Sequence, residues 1–225
     1  MKFINILIKN ICKVGEKMNY CAIIGDIVGS KQIKNRNKLQ NKIKRYLKEI
    51  NCTYKGCLVA DFKIYAGDEI QGLINKPSLS YEIVKKINKK FSPIKLYFGV
   101  GIGEISTKIF PNSTTWDLDG KAYHRAREMI NKSKKEKFNL HYLLPLKSTS
   151  NLINSLLHFI ELNKKNRTQR QKEIIKIYEK YNNQQKVASH FNISQSSVSQ
   201  ILSKGLYYEV KQSTQNIIKY LKEFN

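Results

Sequence analysis

Apolar positions along this chain follow two rhythms, one continuous or alternating and one spaced like the turns of a helix. CAIIGDIVGSK is apolar from Cys21 to Val28, interrupted at Gly25-Asp26 and broken at Gly29-Ser30; it predicts a buried strand that ends in a carboxylate. KQIKNRNKLQNKIKRYLKEIN follows, with Ile33, Leu39, Ile43, Tyr46, Leu47 and Ile50 at helical intervals among lysines. In GCLVADFKIYAGDEIQGLIN two largely alternating runs flank Ala66-Gly67-Asp68-Glu69, which predicts a hairpin turning at Gly67-Asp68. Pro77-Ser78 opens a second helix, SLSYEIVKKINKKF, with Ser78 or Ser80 as its cap. PIKLYFGVGIGEI is a fourth strand, WDLDGKAYHRAREMINKSK turns helical at about Gly120, FNLHYLLP is a short fifth strand, and SNLINSLLHFIEL is a longer apolar helix.

The order β-α-β-β-α-β, then α-β, predicts an α/β (α+β) fold, a ferredoxin-like or palm sheet with an added strand and helix. Residues 18–147 form this palm domain, and residues 1–17, upstream of Met18, read as an N-terminal extension. Residues 148–166 read as a connecting helix and a basic linker, the stretch NKKNRTQRQK running on from that linker into a new helix, and residues 167–225 as an all-α domain.

Charge narrows the partners. Lys+Arg 41 against Asp+Glu 17 gives +24, a field that attracts nucleic acid, nucleotides or other polyanions, although only six of the 41 are arginine. With 41% hydrophobic residues the chain can bury a real core. Cys12, Cys21, Cys52 and Cys57 fit no zinc spacing and read as reduced thiols of a cytoplasmic protein. The apolar run in KFINILIK is too short and interrupted to span a membrane.

The first strand's end and the hairpin turn are neighbours in such a sheet, so Asp26 and Asp68 are candidate ligands of a shared divalent cation, Mg²⁺ or Mn²⁺. Gly25 and Gly29 leave the backbone open to a polyphosphate, and Gly29, Ser30 and Lys31 are candidate phosphate contacts. Glu69 and Glu104 are secondary acidic candidates at the same end. On the helix after Gly120, Arg125 and Arg127 could clamp phosphate oxygens, and His124 could donate or shuttle a proton. Asp117 and Asp119 read as helix caps, and Trp116 as a packing residue.

GDIVGS followed by YAGDEI resembles the two metal-binding motifs of class III nucleotide cyclase palm domains, FGVGIGEIST resembles their third core strand, and the AGDE turn is similar to the signature turn of diguanylate cyclases. GDIVGSK, AGDEIQGLI, VGIGEI and DGKAYHRARE, in this order, resemble the SatD family over about Met18 to Tyr208. The cyclase resemblance implies metal and phosphate binding. It does not extend to purine reading, because Ile64 stands where ATP-using cyclases carry lysine, nor to cyclisation, because His124 replaces an asparagine and the arginines are out of register.

QQKVASHFNISQSSVSQILSK resembles the helix-turn-helix of bacterial regulators. Ala188 takes the tight interhelix contact, Asn192 the turn, and Val187, Phe191, Ile193, Val198 and Ile201 the buried positions, while Ser194 caps the second helix. Gln195, Ser196, Ser197, Ser199, Gln200 and Lys204 are the candidate DNA contacts, with Lys186, Arg167 and Arg170 on phosphates.

The chain is therefore expected to be a cytoplasmic, homodimeric regulator that binds double-stranded DNA and whose palm holds a metal and a nucleotide or other polyphosphate. The alternatives are a metal-dependent nucleotidyl-transfer or cyclase-type enzyme localised to DNA, and an inactive palm serving as a dimerisation scaffold.

Overall fold

The computed structural model describes residues 19–29, 35–65 and 67–225. The extension 1–17, Ser30 and Lys31 lie outside the described residues. The chain divides into two compact units, the first ending at Lys147 and including Phe224–Asn225, the second Ser148–Glu223.

The first unit is built on a five-stranded sheet: β1 (Tyr20–Ile27), β2 (Leu58–Tyr65), β3 (Glu69–Ile74), β4 (Leu96–Gly103) and β5 (Leu140–Leu143), in the order β2-β3-β1-β4-β5. All neighbours are antiparallel except β4 and β5, which run parallel. Three helices cover the sheet: α1 (Arg36–Thr53), α2 (Ser80–Phe91) and α3 (Lys121–Glu136). The added parallel strand β5 extends the predicted β-α-β-β-α-β core at its β4 edge.

Strand alternation sorts the faces. Ala22 and Ile24 of β1 pack with Ala122, Tyr123, Ala126 and Ile130 of α3. The intervening Cys21 meets the Ser80 hydroxyl at the start of α2, and burial pushes its thiol up to about 12. α1 lies beside α2, with Tyr46 edge-on to Phe91 at 5.6 Å, and Asn51 of α1 hydrogen-bonds the Phe62 backbone of β2 in both directions. Hence α1 and α2 share one face of the sheet and α3 has the other.

The approach of α3 follows from two glycines. A Cβ on Gly99 would sit 2.1 Å from the Ile130 nitrogen, and one on Gly101 would sit 2.2 Å from the Ala122 carbonyl oxygen. With Ala122 and Ala126 opposite them, helix backbone rests directly on strand backbone, and the long side chains of α3 are carried to the rims of the sheet.

In the second unit, α4 (Lys147–Asn166), α5 (Gln169–Tyr181), α6 (Gln184–Phe191), α7 (Gln195–Lys204) and α8 (Tyr207–Leu221) follow one another. The predicted basic linker is helix instead. Lys164 and Lys165 occupy the last turn of α4, where cations suit the helix dipole, and only Arg167 and Thr168 separate α4 from α5. Thr168 and Gln171 form a reciprocal capping box that starts α5 at once. Ile174, Ile175, Val187, Ala188, Val198 and Leu202 make the core of α5–α7. Asn192 ends α6 in the left-handed conformation, φ 51°, and the Ser194 hydroxyl accepts from the Ser197 amide at 3.0 Å to start α7.

Candidate functional site

The register of the sheet assembles the site. Gly25 pairs with Ile70, so one step on Asp26 stands opposite Glu69; Asp26 also pairs with Tyr97, and Glu69 with Tyr65. Tyr65, Glu69, Asp26 and Tyr97 thus form a row across four strands on the face that α3 covers. Two carboxylates directly opposite each other repel, and the arrangement persists only with cations beside it. α3 supplies them. Lys134 Nζ lies 2.9 Å from an Asp26 carboxylate oxygen, and Arg127, two turns earlier on the same helix face, grips both oxygens of Glu69, one at 2.8 Å.

Burial alone would push the Glu69 carboxyl up. Hydrogen bonds from Arg127 and Gln71, with the charges of Arg127 and Lys134, outweigh it and hold the group below the usual carboxylate range. Donating these bonds to the Glu69 carboxylate in turn raises the Arg127 guanidinium. Two neighbouring carboxylates are what Mg²⁺ or Mn²⁺ takes from a protein when water and phosphate complete its shell, so the donor set fits such an ion once Arg127 and Lys134 turn aside. Among the described residues no group of three or more His, Cys, Asp and Glu side chains converges as a cage.

The second predicted metal ligand, Asp68, is not brought to Asp26. It sits in the hairpin turn and faces Arg36 at the start of α1, 3.8 Å away, and Asp26, Glu69 and Asp68 do not converge as a group of three. The physical reason is the two-residue period of a strand: Glu69, not Asp68, has the parity of Asp26. Gly25 likewise serves packing, since a Cβ there would meet the Phe98 ring at 2.5 Å on the α1–α2 face. Gly29 adopts φ 66°, a turn conformation that suits glycine.

Of the predicted helix residues only Arg127 reaches the acidic pair. Arg125 donates to the Ile102 carbonyl near the far end of β4, and His124 pairs with Asp119 at 2.8 Å. Glu104 is corrected too: it follows Gly103, which pairs with Tyr20, so it lies at the opposite end of β1 and near Lys121, 3.8 Å away. Asp117 and Asp119 do not cap α3, whose first position is preceded by Gly120; Asp117 accepts from Thr114 instead. Trp116 packs edge-on against Tyr65, ring centroids 5.0 Å apart, yet is 73% exposed.

Beside α3 on the same face opens a cleft of about 470 Å³ lined by Ile24, Leu118, Asp119, Tyr123, His124 and Arg127. Arg127 belongs to both the cleft and the acidic end, and Ile24 is two residues from Asp26 on the same face. Lys134 and the cleft were not foreseen. The seven-residue step from Arg127 to Lys134 was the available signal, because it keeps both on one helix face.

In the helical unit Gln195, Ser196, Gln200 and Lys204 are exposed, whereas Ser197 and Ser199 are half-buried. The Ser196 and Ser197 hydroxyls are each 2.8 Å from Ser194 Oγ, and Gln195 donates to Gln184. Lys186 is exposed. Arg167 is not a surface cation for phosphate. It donates to the Gly205 and Leu206 carbonyls at 2.7 and 3.4 Å, closing the end of α7, while Arg170 stacks over Phe191 at 4.6 Å.

Among the described residues no helix is long and apolar enough to cross a membrane. Several solved structures are similar to part of the chain. A bacterial light-regulated adenylyl cyclase shares 11% identity over 56% of this chain and 43% of its own, at TM-score 0.43, so the chain spans less than half of that protein. The dimeric guanylyl cyclase domain of the RhoGC fusion protein from the aquatic fungus Blastocladiella emersonii shares 16% identity over 52% of this chain and 76% of its own, at TM-score 0.40. The active GGEEF domain of a diguanylate cyclase from Vibrio cholerae shares 16% identity over 58% and 85%, at TM-score 0.36. No curated protein matches the chain. Residues 20–218, almost all of both units, match the SatD family, and the chain belongs to it.

Proposed function

We propose that the sheet unit binds a divalent cation together with a nucleotide or other polyphosphate, and that the helical unit reads double-stranded DNA, making the protein a cytoplasmic, ligand-responsive transcription regulator. The observation that carries the first half is the side-by-side pair Asp26 and Glu69 under Arg127 and Lys134. Asp26 and Glu69 would hold Mg²⁺ or Mn²⁺, which supplies positive charge to phosphate oxygens; Arg127 and Lys134 would turn from the carboxylates to the phosphates. Gly29, Ser30 and Lys31 follow β1 and would complete the phosphate contacts.

Binding is favoured over turnover because His124 and Arg125, the other two predicted catalytic groups, are engaged away from the acidic pair. The enzyme reading stays testable: Mg²⁺- or Mn²⁺-dependent conversion of a nucleoside triphosphate, lost in Asp26→Asn, would establish it. Binding without conversion supports the regulator. Neither binding nor conversion would leave the sheet unit a scaffold.

The DNA half is supported by the small Ala188 in the α6–α7 core, the left-handed Asn192 between them, and the polar surface of α7, with Lys204 its one charged side chain, in a chain of net charge +24. Gln195, Ser196, Ser199 and Gln200 would face base edges, with Ser197 near the helix start, and Lys186 and Lys204 would hold phosphates. Salt-dependent retardation of duplex DNA that survives Gln200→Glu combined with Lys204→Glu would contradict it.

One reading helix covers a half-site, so a second copy is expected, and α4 offers it a surface. Leu152, Leu156, Phe159 and Leu162 are exposed along α4, and the run SNLINSLLHFI contains no Asp, Glu, Lys or Arg. Two copies of so basic a chain can meet closely only where like charges are absent. The four side chains offer roughly 400 Å² of apolar surface per copy, about half of a standard interface, which is its usual apolar share.

A further inference from the structure

Two phenol hydroxyls beside the cleft have no partner. Tyr123, on α3, and Tyr65, at the end of β2, are 8% and 7% exposed, and neither oxygen finds a hydrogen bond among the described residues. Burying an unpaired hydroxyl costs free energy that a phenylalanine would not. Tyr123 lines the cleft directly, and Tyr65 shares the strand row with Glu69 and Asp26. Trp116, the single tryptophan of the chain, projects from the loop before α3 and touches Tyr65. A large indole left mostly in water, in contact with one of the two unpaired phenols and two residues along the chain from Leu118 of the cleft wall, is an aromatic surface open to a second ring. The remaining rim is polar: His124 with Asp119, and Arg127 where the cleft meets the acidic end.

We infer that this cleft takes the base of a nucleotide, a planar heteroaromatic ring lying against Trp116 with its polar edge toward the Tyr123 and Tyr65 hydroxyls, while the phosphates run past Arg127 to Asp26 and Glu69. The inference rests on the metal and phosphate reading above and deepens it by naming the ligand class. A hydroxyl both donates and accepts, so the two phenols can serve a ring edge carrying either pattern. A volume of about 470 Å³ suits one base and its sugar. Inorganic polyphosphate would use the acidic end but leave the phenols unpaired.

The test separates the two levels. ATP, GTP and inorganic tripolyphosphate are titrated into the full chain with Mg²⁺, by calorimetry and by tryptophan fluorescence. The expected result is that at least one nucleotide binds about tenfold or more tighter than tripolyphosphate and changes the Trp116 emission, whereas tripolyphosphate leaves it unchanged. Trp116→Ala should weaken that nucleotide about tenfold and Tyr123→Phe about fivefold, with tripolyphosphate affinity unchanged in both. Tyr123→Phe should also raise the melting temperature of the ligand-free protein, which guards against a folding explanation. Equal affinity for nucleotides and tripolyphosphate, unmoved by either substitution, overturns the base cleft and leaves the metal and phosphate reading standing. Failure of all three probes to bind overturns both.

Discussion

The two units hold their candidate chemistry in opposite ways. In the helical unit the polar face of α7 lies within ten consecutive residues, Gln195–Lys204, and carries one charged side chain. In the sheet unit Asp26, Glu69, Arg127 and Lys134 come from three distant segments and are all charged, locked in two ion pairs. A surface that reads many positions of a long polymer can be neutral, because its affinity comes from many weak contacts and surrounding positive charge. A pocket for a small anion with its metal must concentrate charge, and concentrated charge must be balanced inside the empty protein.

Substitutions that act on one unit should leave the other's binding intact, and the largest effect is expected at Gly101. Gly101→Val drives a branched side chain into the backbone of α3, and the sheet unit should lose about 3 kcal/mol or more, read as an earlier thermal transition. If DNA retardation by the remaining folded protein fell in proportion, the two units would not be independent.

That contrast also explains what was legible in the chain. Elements could be read because periodicity is local, and the cap at Ser194, the turn at Asn192 and the small Ala188 are each set by neighbours within a few residues. The β2–β3 pairing also follows from the short connection between Tyr65 and Glu69. The partner of Asp26 was not readable in the same way: the choice between Asp68 and Glu69 turns on a one-residue register between strands far apart in sequence, and a slip of one reverses every side chain. The basic stretch after Asn163 misled because charge composition resembles a linker, whereas lysines at a helix end are favourable. Residue type makes Trp116 a packing residue and does not tell how much of its ring stays in water: it touches Tyr65 and is otherwise exposed.

The next effect in size concerns the helical unit. Leu156→Lys places a charge on the apolar face of α4 and should weaken self-association at least tenfold, seen by sedimentation, and should reduce affinity for a two-half-site DNA while leaving nucleotide binding unchanged. A variant that sediments like the parent would rule out α4 as the proposed self-association surface.

A smaller effect is expected from acid. The Glu69 carboxyl is held below its ordinary value of about 4.3 in the folded protein, so its contribution is complete above that pH and is lost as pH falls through the lowered folded value. Arg127 is about half exposed, and solvent limits the contribution to about 1 kcal/mol. Denaturant melts from pH 6 to pH 3 should show this loss in the parent and a flatter profile in Glu69→Gln.

The most direct measurement is calorimetric titration of Mg²⁺ with ATP, GTP or tripolyphosphate into the parent, Asp26→Asn, Glu69→Gln and Asp68→Asn. The side-by-side pairing of Asp26 and Glu69 predicts that the first two substitutions abolish metal-dependent binding and that Asp68→Asn retains it within a few-fold. Binding that survives Glu69→Gln and disappears in Asp68→Asn would contradict it.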